Sequence, residues 1–150
     1  MGSAYPFFDA AERLELACAE IYQALAERFG DPPAVRELFR RLADEERQHA
    51  SRVRLLAARY RHDPKLLGGT ETVAARLEPL VAEALGIRDR IRAGAWAADL
   101  EVVRGELADL EDRFQAAHAQ VIAALADPGL RRFFEQMAAQ DDAHRELLLG

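Results

Sequence analysis

"LFRRLADEERQHA", residues 38 to 50, sets Glu46 and His49 three positions apart in a stretch whose apolar residues recur every three or four. That spacing is helical. On a wheel of 100° per residue, Val35, Leu38, Phe39, Leu42, Val53 and Leu56 define the core direction. Glu46 falls within roughly 20° of it and His49 within roughly 40°. A carboxylate and an imidazole on an apolar face cost free energy that Ala or Leu would not. The pair therefore calls for a partner inside the core.

A second stretch, "FFEQMAAQDDAHR" (133 to 145), aligns with the first at a constant offset of 95. Phe39 pairs with Phe134, Glu46 with Asp141 and His49 with His144. Here Leu130, Phe133, Phe134, Met137, Leu147 and Leu148 set the core direction, and Asp141 and His144 lie within roughly 35° of it. Further upstream an offset of 96 pairs Glu15 with Glu111 and Tyr22 with His118. The one-residue difference falls in the connections, "GDPPAV" against "DPGL". What repeats is a set of acids and histidines at buried positions, which is more telling than repeated leucines.

Four long segments carry this helical periodicity: about Asp9 to Phe29, Pro33 to Tyr60, Ala97 to Ala126, and Leu130 to the C-terminus. Gly and Pro punctuate both short connections. Between the second and third segments lie about 36 residues with an amphipathic stretch of their own, Thr72 to Leu85, interrupted by Pro79. Two tight hairpins (9–60 and 97–149) joined by a long crossover (61–96) describe an all-α four-helix bundle in a single domain, 1–150. Trp96 is expected to pack where the crossover meets the bundle.

Composition agrees. The 150 residues are 50% hydrophobic with a net charge of −6, enough apolar material for one core. The acidic balance argues against nucleic acid and anionic membranes as partners, so the arginines from Arg52 to Arg61 read as a solvated helix face. The one cysteine, Cys18, excludes an internal disulfide and a Cys-x-x-Cys knuckle, and its spacing from Leu14, Ile21 and Leu25 reads as a buried structural thiol. "MGSAYPFFDA" lacks a basic start followed by an apolar run, and no stretch reaches membrane-spanning length; the expected location is the cytoplasm. His62 falls in a polar loop with no evident role.

Height along the bundle tests which glutamates belong together. Counted from the first turn, Glu15 lies about 16 residues back and Glu46 and His49 about 16 forward, one level at about 1.5 Å per residue. Glu12 and Glu20 face away and would miss that level by roughly 5 to 7 Å. Glu111 and the Asp141/His144 pair match in the second hairpin. Six residues converge at mid-bundle: Glu15, Glu46, His49, Glu111, Asp141 and His144. A lone Glu-x-x-His on a helix is more often a surface pair; two such motifs, both core-facing and each level with a glutamate one arm away, point to metal. Four buried carboxylates repel one another, and two divalent cations cancel their charge. Oxygen and nitrogen ligands without thiolate suit iron or manganese, with zinc able to occupy the site. One Glu on each of two helices plus Glu-x-x-His on each of the other two is the di-iron or di-manganese arrangement of such bundles. Glu45 and Gln140, each one residue before a motif, are placed to orient His144 and His49 through the free ring nitrogen. Tyr22 and His118 share the faces of Glu15 and Glu111. For each, a packed core residue stands beside a functional role: a hydrogen bond to a ligand or a redox-active tyrosine for Tyr22, an additional ligand for His118.

On Glu15 with Tyr22 seven residues on, "EERQH", Glu111 and "DDAHR", the chain resembles the rubrerythrin and ferritin-like di-iron carboxylate proteins, across both hairpins. The resemblance implies a ferritin-like bundle holding two iron ions. Glu46 and Asp141 would bridge, Glu15 and Glu111 would be terminal, and His49 and His144 would each close one metal. Three departures stand out. Asp141 is one methylene shorter than the family's Glu. Ala108 and Phe114 flank Glu111 where rubrerythrins carry an extra glutamate, which leaves a more symmetric set like that of bacterioferritin. With one cysteine in these 150 residues, no rubredoxin-like domain is expected beside the bundle, and electrons are expected from a separate donor protein. The short fifth helix of ferritin cages is not expected after the fourth segment, and Arg47 stands where bacterioferritin has its haem-ligating Met; both argue against a storage cage. A homodimer is the expectation the family gives.

Three functions compete. The first is a peroxide-reducing oxidoreductase, in which a carboxyl group or Tyr22 supplies protons. The second is a ferroxidase, oxidising incoming ferrous ion with oxygen or peroxide. The third is a non-catalytic, metal-stabilised interaction module.

Overall fold

The computed structural model describes residues 5–29, 33–60, 62–63, 67–95 and 99–149. Five helices follow one another: α1 (Tyr5–Arg28), α2 (Pro33–Tyr60), α3 (Leu67–Arg92), α4 (Leu100–Ala124) and α5 (Pro128–Leu149). No strand occurs among the described residues. α1 pairs with α2 and α4 with α5, which gives the two hairpins of a ferritin-like bundle, with α3 in the crossover. Trp96 and Arg61 lie outside the described residues.

The turn chemistry explains the hairpin ends. Pro33 and Pro128 each open a helix, where a missing N–H is no loss and the fixed φ suits the first turn. Asp127 caps α5, its carboxylate accepting from the Leu130 amide at 2.9 Å. Asp99 does the same for α4, accepting from Glu101 N at 2.8 Å. "DPG" therefore starts the last helix two residues earlier than apolar periodicity alone suggests. At the far end Arg104 of α4 donates to the carbonyls of Leu148 (2.8 Å) and Leu147 (3.3 Å), satisfying groups that the end of α5 would leave unpaired.

The crossover differs from expectation. Pro79 does not interrupt it; α3 runs unbroken for 26 residues. Val73, Leu77, Val81, Ala84, Ile87 and Ile91 form its buried stripe, packed on α1, whereas Pro79 is exposed. A proline inside a helix costs about 3 kcal/mol. Each large aliphatic side chain buried along the stripe contributes about 1.5 to 3 kcal/mol, so burial wins. Ion pairs pin the same helix from outside: Arg13 of α1 to Glu78, Arg88 to Glu20 of α1 at 2.6 Å, and Arg113 of α4 to Glu83.

With α2 on one side and α3 on another, α1 is covered over most of its circumference. Its sequence reflects this: Ala10, Ala11, Ala17, Ala19, Ala24 and Ala26 are all buried beside Phe7, Phe8, Leu14, Ile21 and Leu25. Small residues let both neighbours approach closely. Phe7 also reaches α5, with its ring centroid 5.4 Å from that of Phe134. No helix among the described residues is long and apolar enough to cross a membrane.

Candidate metal centre

Mid-bundle, the two hairpins face each other across a set of ionisable side chains. Glu15, Glu46, His49, Glu111, Asp141 and His144 are all between 2% and 6% exposed. Glu15, Glu46, His49 and Asp141 each offer a ligand atom within 4.8 Å of the others, and Glu111, Asp141 and His144 form a second such group. Asp141 belongs to both. Glu46 also reaches towards the second group, with Oε1 3.1 Å from His144 Nδ1. The structure thus brings together all six residues singled out by wheel angle and height. Glu12 and Glu20 stand apart, Glu12 near Arg54 at 3.7 Å and Glu20 on Arg88.

The imidazoles are aimed. His144 Nε2 donates to Glu45 Oε2 at 2.6 Å, and His49 Nε2 donates to Gln140 Oε1. Because both partners are acceptors, the proton of a neutral ring sits on Nε2 and the Nδ1 lone pair faces inward. The supports are exchanged between hairpins: α2 steadies the histidine of α5, and α5 steadies that of α2. The two rings stack nearly parallel, 11° apart with centroids at 5.8 Å. Two arginines brace the supports, Arg41 on Glu45 and Arg52 on Gln140, each at 3.3 Å. Sequence reasoning missed both. Arg41 carried a signal, four residues before Glu45; Arg52, read as part of a solvated face, carried none.

Tyr22 donates its hydroxyl across the hairpins to Glu111 Oε1. His118, at the equivalent position of the repeat, places Nδ1 3.5 Å from Asp141 Oδ2. That leaves Oδ1 of Asp141 facing the other imidazoles, 3.8 Å from His49 and 3.9 Å from His144. His118 falls outside both groups of candidate ligands.

Electrostatics show how unfavourable this cage is when it holds only protons. Burial, with the charges of Glu15, Asp141 and Glu111, pushes the Glu46 carboxyl well above the usual range. Burial and then Asp141 push Glu111 up to about 8, against the Tyr22 hydrogen bond that lowers it. Burial would raise Glu15 too, but His49, His118 and Glu46 outweigh it and hold this carboxyl low. Burial would lower His49 and His118, and their carboxylate neighbours, Glu15 and Asp141 respectively, raise them instead.

A direct test of fit comes from unpaired atoms. Glu46 Oε1, His49 Nδ1, Asp141 Oδ1 and His144 Nδ1 are buried without a hydrogen-bond partner. Buried polar atoms are nearly always satisfied, and four orphans facing one another need a common partner. All four can ligate. Ligands each about 2.1 Å from a shared ion stand roughly 3 to 4 Å apart, and the histidine-to-carboxylate separations here run from 3.1 Å to 3.9 Å. The residues fit a pair of cations.

Buried carboxylates and aimed imidazoles within one helical bundle are the donor set of the di-metal carboxylate class of proteins. A family model described as Rubrerythrin matches residues 7–127, and the chain belongs to that family. The family is one of di-iron proteins; the match ends before α5, so Asp141 and His144 rest on the geometry above. Comparisons with curated proteins and with solved structures gave no match.

Proposed function

We propose that the protein is a di-iron oxidoreductase that reduces hydrogen peroxide with electrons from a separate donor protein. The observation that carries this reading is the quartet of buried, unpartnered ligand atoms on Glu46, His49, Asp141 and His144. Glu15, Glu46, His49 and Asp141 would hold one ion; Glu111, Asp141 and His144, with Glu46 shared, would hold the other. When bound, a ferrous pair supplies two electrons at one place, the number consumed with two protons in converting hydrogen peroxide to two waters.

The remaining work falls to the chain. Glu45 and Gln140 hold the histidine rings so that Nδ1 is always presented. Tyr22 keeps its proton, because burial and the charges of Glu111 and Glu46 raise its pKa well above the ordinary value. It holds that proton in a hydrogen bond to Glu111, whose carboxyl, raised to about 8, gives one up more readily. His118 fixes Oδ2 of Asp141, which offsets the shorter reach of that side chain by setting its direction. The apolar wall of Leu107, Phe114 and Ile21 excludes bulk water from the Tyr22 side.

The test is peroxide consumption by iron-loaded protein with and without a reductant. Sustained consumption that requires the reductant is expected, with two iron ions per chain. Iron mineral accumulating in a large shell would support the ferroxidase reading instead. An iron content near zero after ferrous reconstitution would sink both and leave an interaction module.

A further inference from the structure

Two approaches lead to the cage, and they are closed differently. On the α2–α5 side a polar cleft of about 190 Å³ ends on His49, Gln140, Glu45 and Arg52. There the hydrogen bonds that hold the imidazoles also bar the way; opening this side would release the ligands. On the opposite side an open groove of about 580 Å³ lies between α3 and α4, with Ile87 and Leu110 at its floor and Arg90, Asp109 and Arg113 around it. Behind it is a narrow apolar void bounded by Cys18, Ile21, Leu107, Leu110 and Phe114, which ends on Tyr22 and Glu111. The void is too tight for a water molecule. Leu110 is the one residue that lines both spaces, which makes it the contact between them.

We propose that Leu110 is the gate of an apolar access path that runs from the α3–α4 groove to Tyr22 and Glu111 and admits only small uncharged oxidants. Nothing that holds the ligands needs to move for this gate to open. Leu110 makes none of the cage hydrogen bonds, so a change of its side-chain rotamer widens the path without disturbing them. The wall offers no polar partner before the Tyr22 hydroxyl, so a charged species would shed its hydration without compensation. Dioxygen and hydrogen peroxide share the admissible properties of small size and neutrality. A hydroperoxide with a bulky organic group does not pass a gate one leucine wide. The assignment of the traveller as an oxidant rests on the peroxidase reading; the path and its gate do not.

Cys18 supplies a built-in reporter. It is the only cysteine, is buried, and lines the inner void. The protein, as purified and after metal removal, is treated with methyl methanethiolsulfonate at one fixed pH, and labelling of Cys18 is followed by mass spectrometry. Leu110→Ala is expected to raise the labelling rate at least tenfold, and Leu110→Met to keep it near that of the parent. Leu130→Ala, an equally large truncation at the start of α5, controls for general loosening of the core. A rate for Leu110→Ala within twofold of the parent, or matched by Leu130→Ala, overturns the gate. In iron-loaded protein, Leu110→Ala should raise turnover of cumene hydroperoxide relative to hydrogen peroxide at least fivefold. An unchanged ratio alongside faster labelling overturns the oxidant assignment. Absence of turnover with either peroxide in the parent would instead count against the peroxidase reading, and the labelling rates would still decide the gate. If Leu110→Ala does not fold, Leu110→Val carries the same tests.

Discussion

Glu45 and Gln140 do the same job with different charge. Each accepts from the Nε2 of a histidine on the other hairpin. Losing such a support typically weakens metal binding by about 10- to 100-fold. Glu45→Ala and Gln140→Ala should each do so, measured by competition with a chelator of known affinity, with two ions still bound at saturation. The ligands themselves should behave differently. Glu46→Ala and Asp141→Ala each remove a side chain placed between the two positions and should abolish the coupled dinuclear spectrum. His49→Ala and His144→Ala should each empty one position. Glu12→Ala and Glu20→Ala should keep both ions; loss of metal in Glu20→Ala but not in Glu15→Ala would overturn the assigned α1 register. Most of this was legible in the sequence, because a buried acid or histidine breaks an apolar stripe at a countable position. The targets of His118 and Arg52 were not, since each depends on where a side chain from the other arm ends in space.

At the level of elements, Pro79 tests how α3 is held. Packing on α1 carries the helix through a residue that costs it a hydrogen bond. Pro79→Ala restores the missing donor on the exposed face and should stabilise the protein by about 1 to 3 kcal/mol, read from urea denaturation. No gain would mean that the restraint proline places on the unfolded chain offsets the hydrogen bond it removes. The four bundle helices could be read from periodicity and turn residues, but the continuity of α3 could not. Local sequence sees the proline; it does not see that the alanines of α1, between Ala10 and Ala26, leave room for a fifth helix against them. The wide buried arc of α1 was the available clue, and it reads equally well as an ordinary core helix.

For the whole molecule, the proton-filled cage sets a pH dependence with a definite sign. Glu111, raised from 4.5 to about 8, and Glu46, raised in the same direction, hold protons in the folded state that the unfolded chain has released. Their contribution is complete below about pH 4.5 and is lost as pH rises towards 8. His49 and His118, raised above 6.5, act in the same sense, with a contribution complete below 6.5 and lost above it. Glu15, lowered, opposes them only in acid, where its contribution fades as pH falls below about 4.5. The metal-free protein should therefore lose stability between pH 5 and pH 8, by a few kcal/mol, read as a fall of about 5 to 10 °C in Tm. Ferrous or zinc ions should remove that slope and raise Tm, because they replace the protons. A metal-free Tm that climbed with pH over this range would contradict the assigned shifts.

The exchanged supports have a consequence for how the molecule assembles. Each histidine is made on one hairpin and oriented by the other, so neither half contains a finished site. If the backbone were severed between His62 and Asp63, the two pieces would carry complementary incomplete halves, and α3 would remain with the C-terminal piece while its docking surface stayed with the N-terminal one. Metal capture would then become a bimolecular event, its rate and midpoint falling with dilution, whereas in the intact chain both are independent of protein concentration. The crossover, none of whose described residues joins the candidate ligands, is what converts that second-order encounter into a first-order closure.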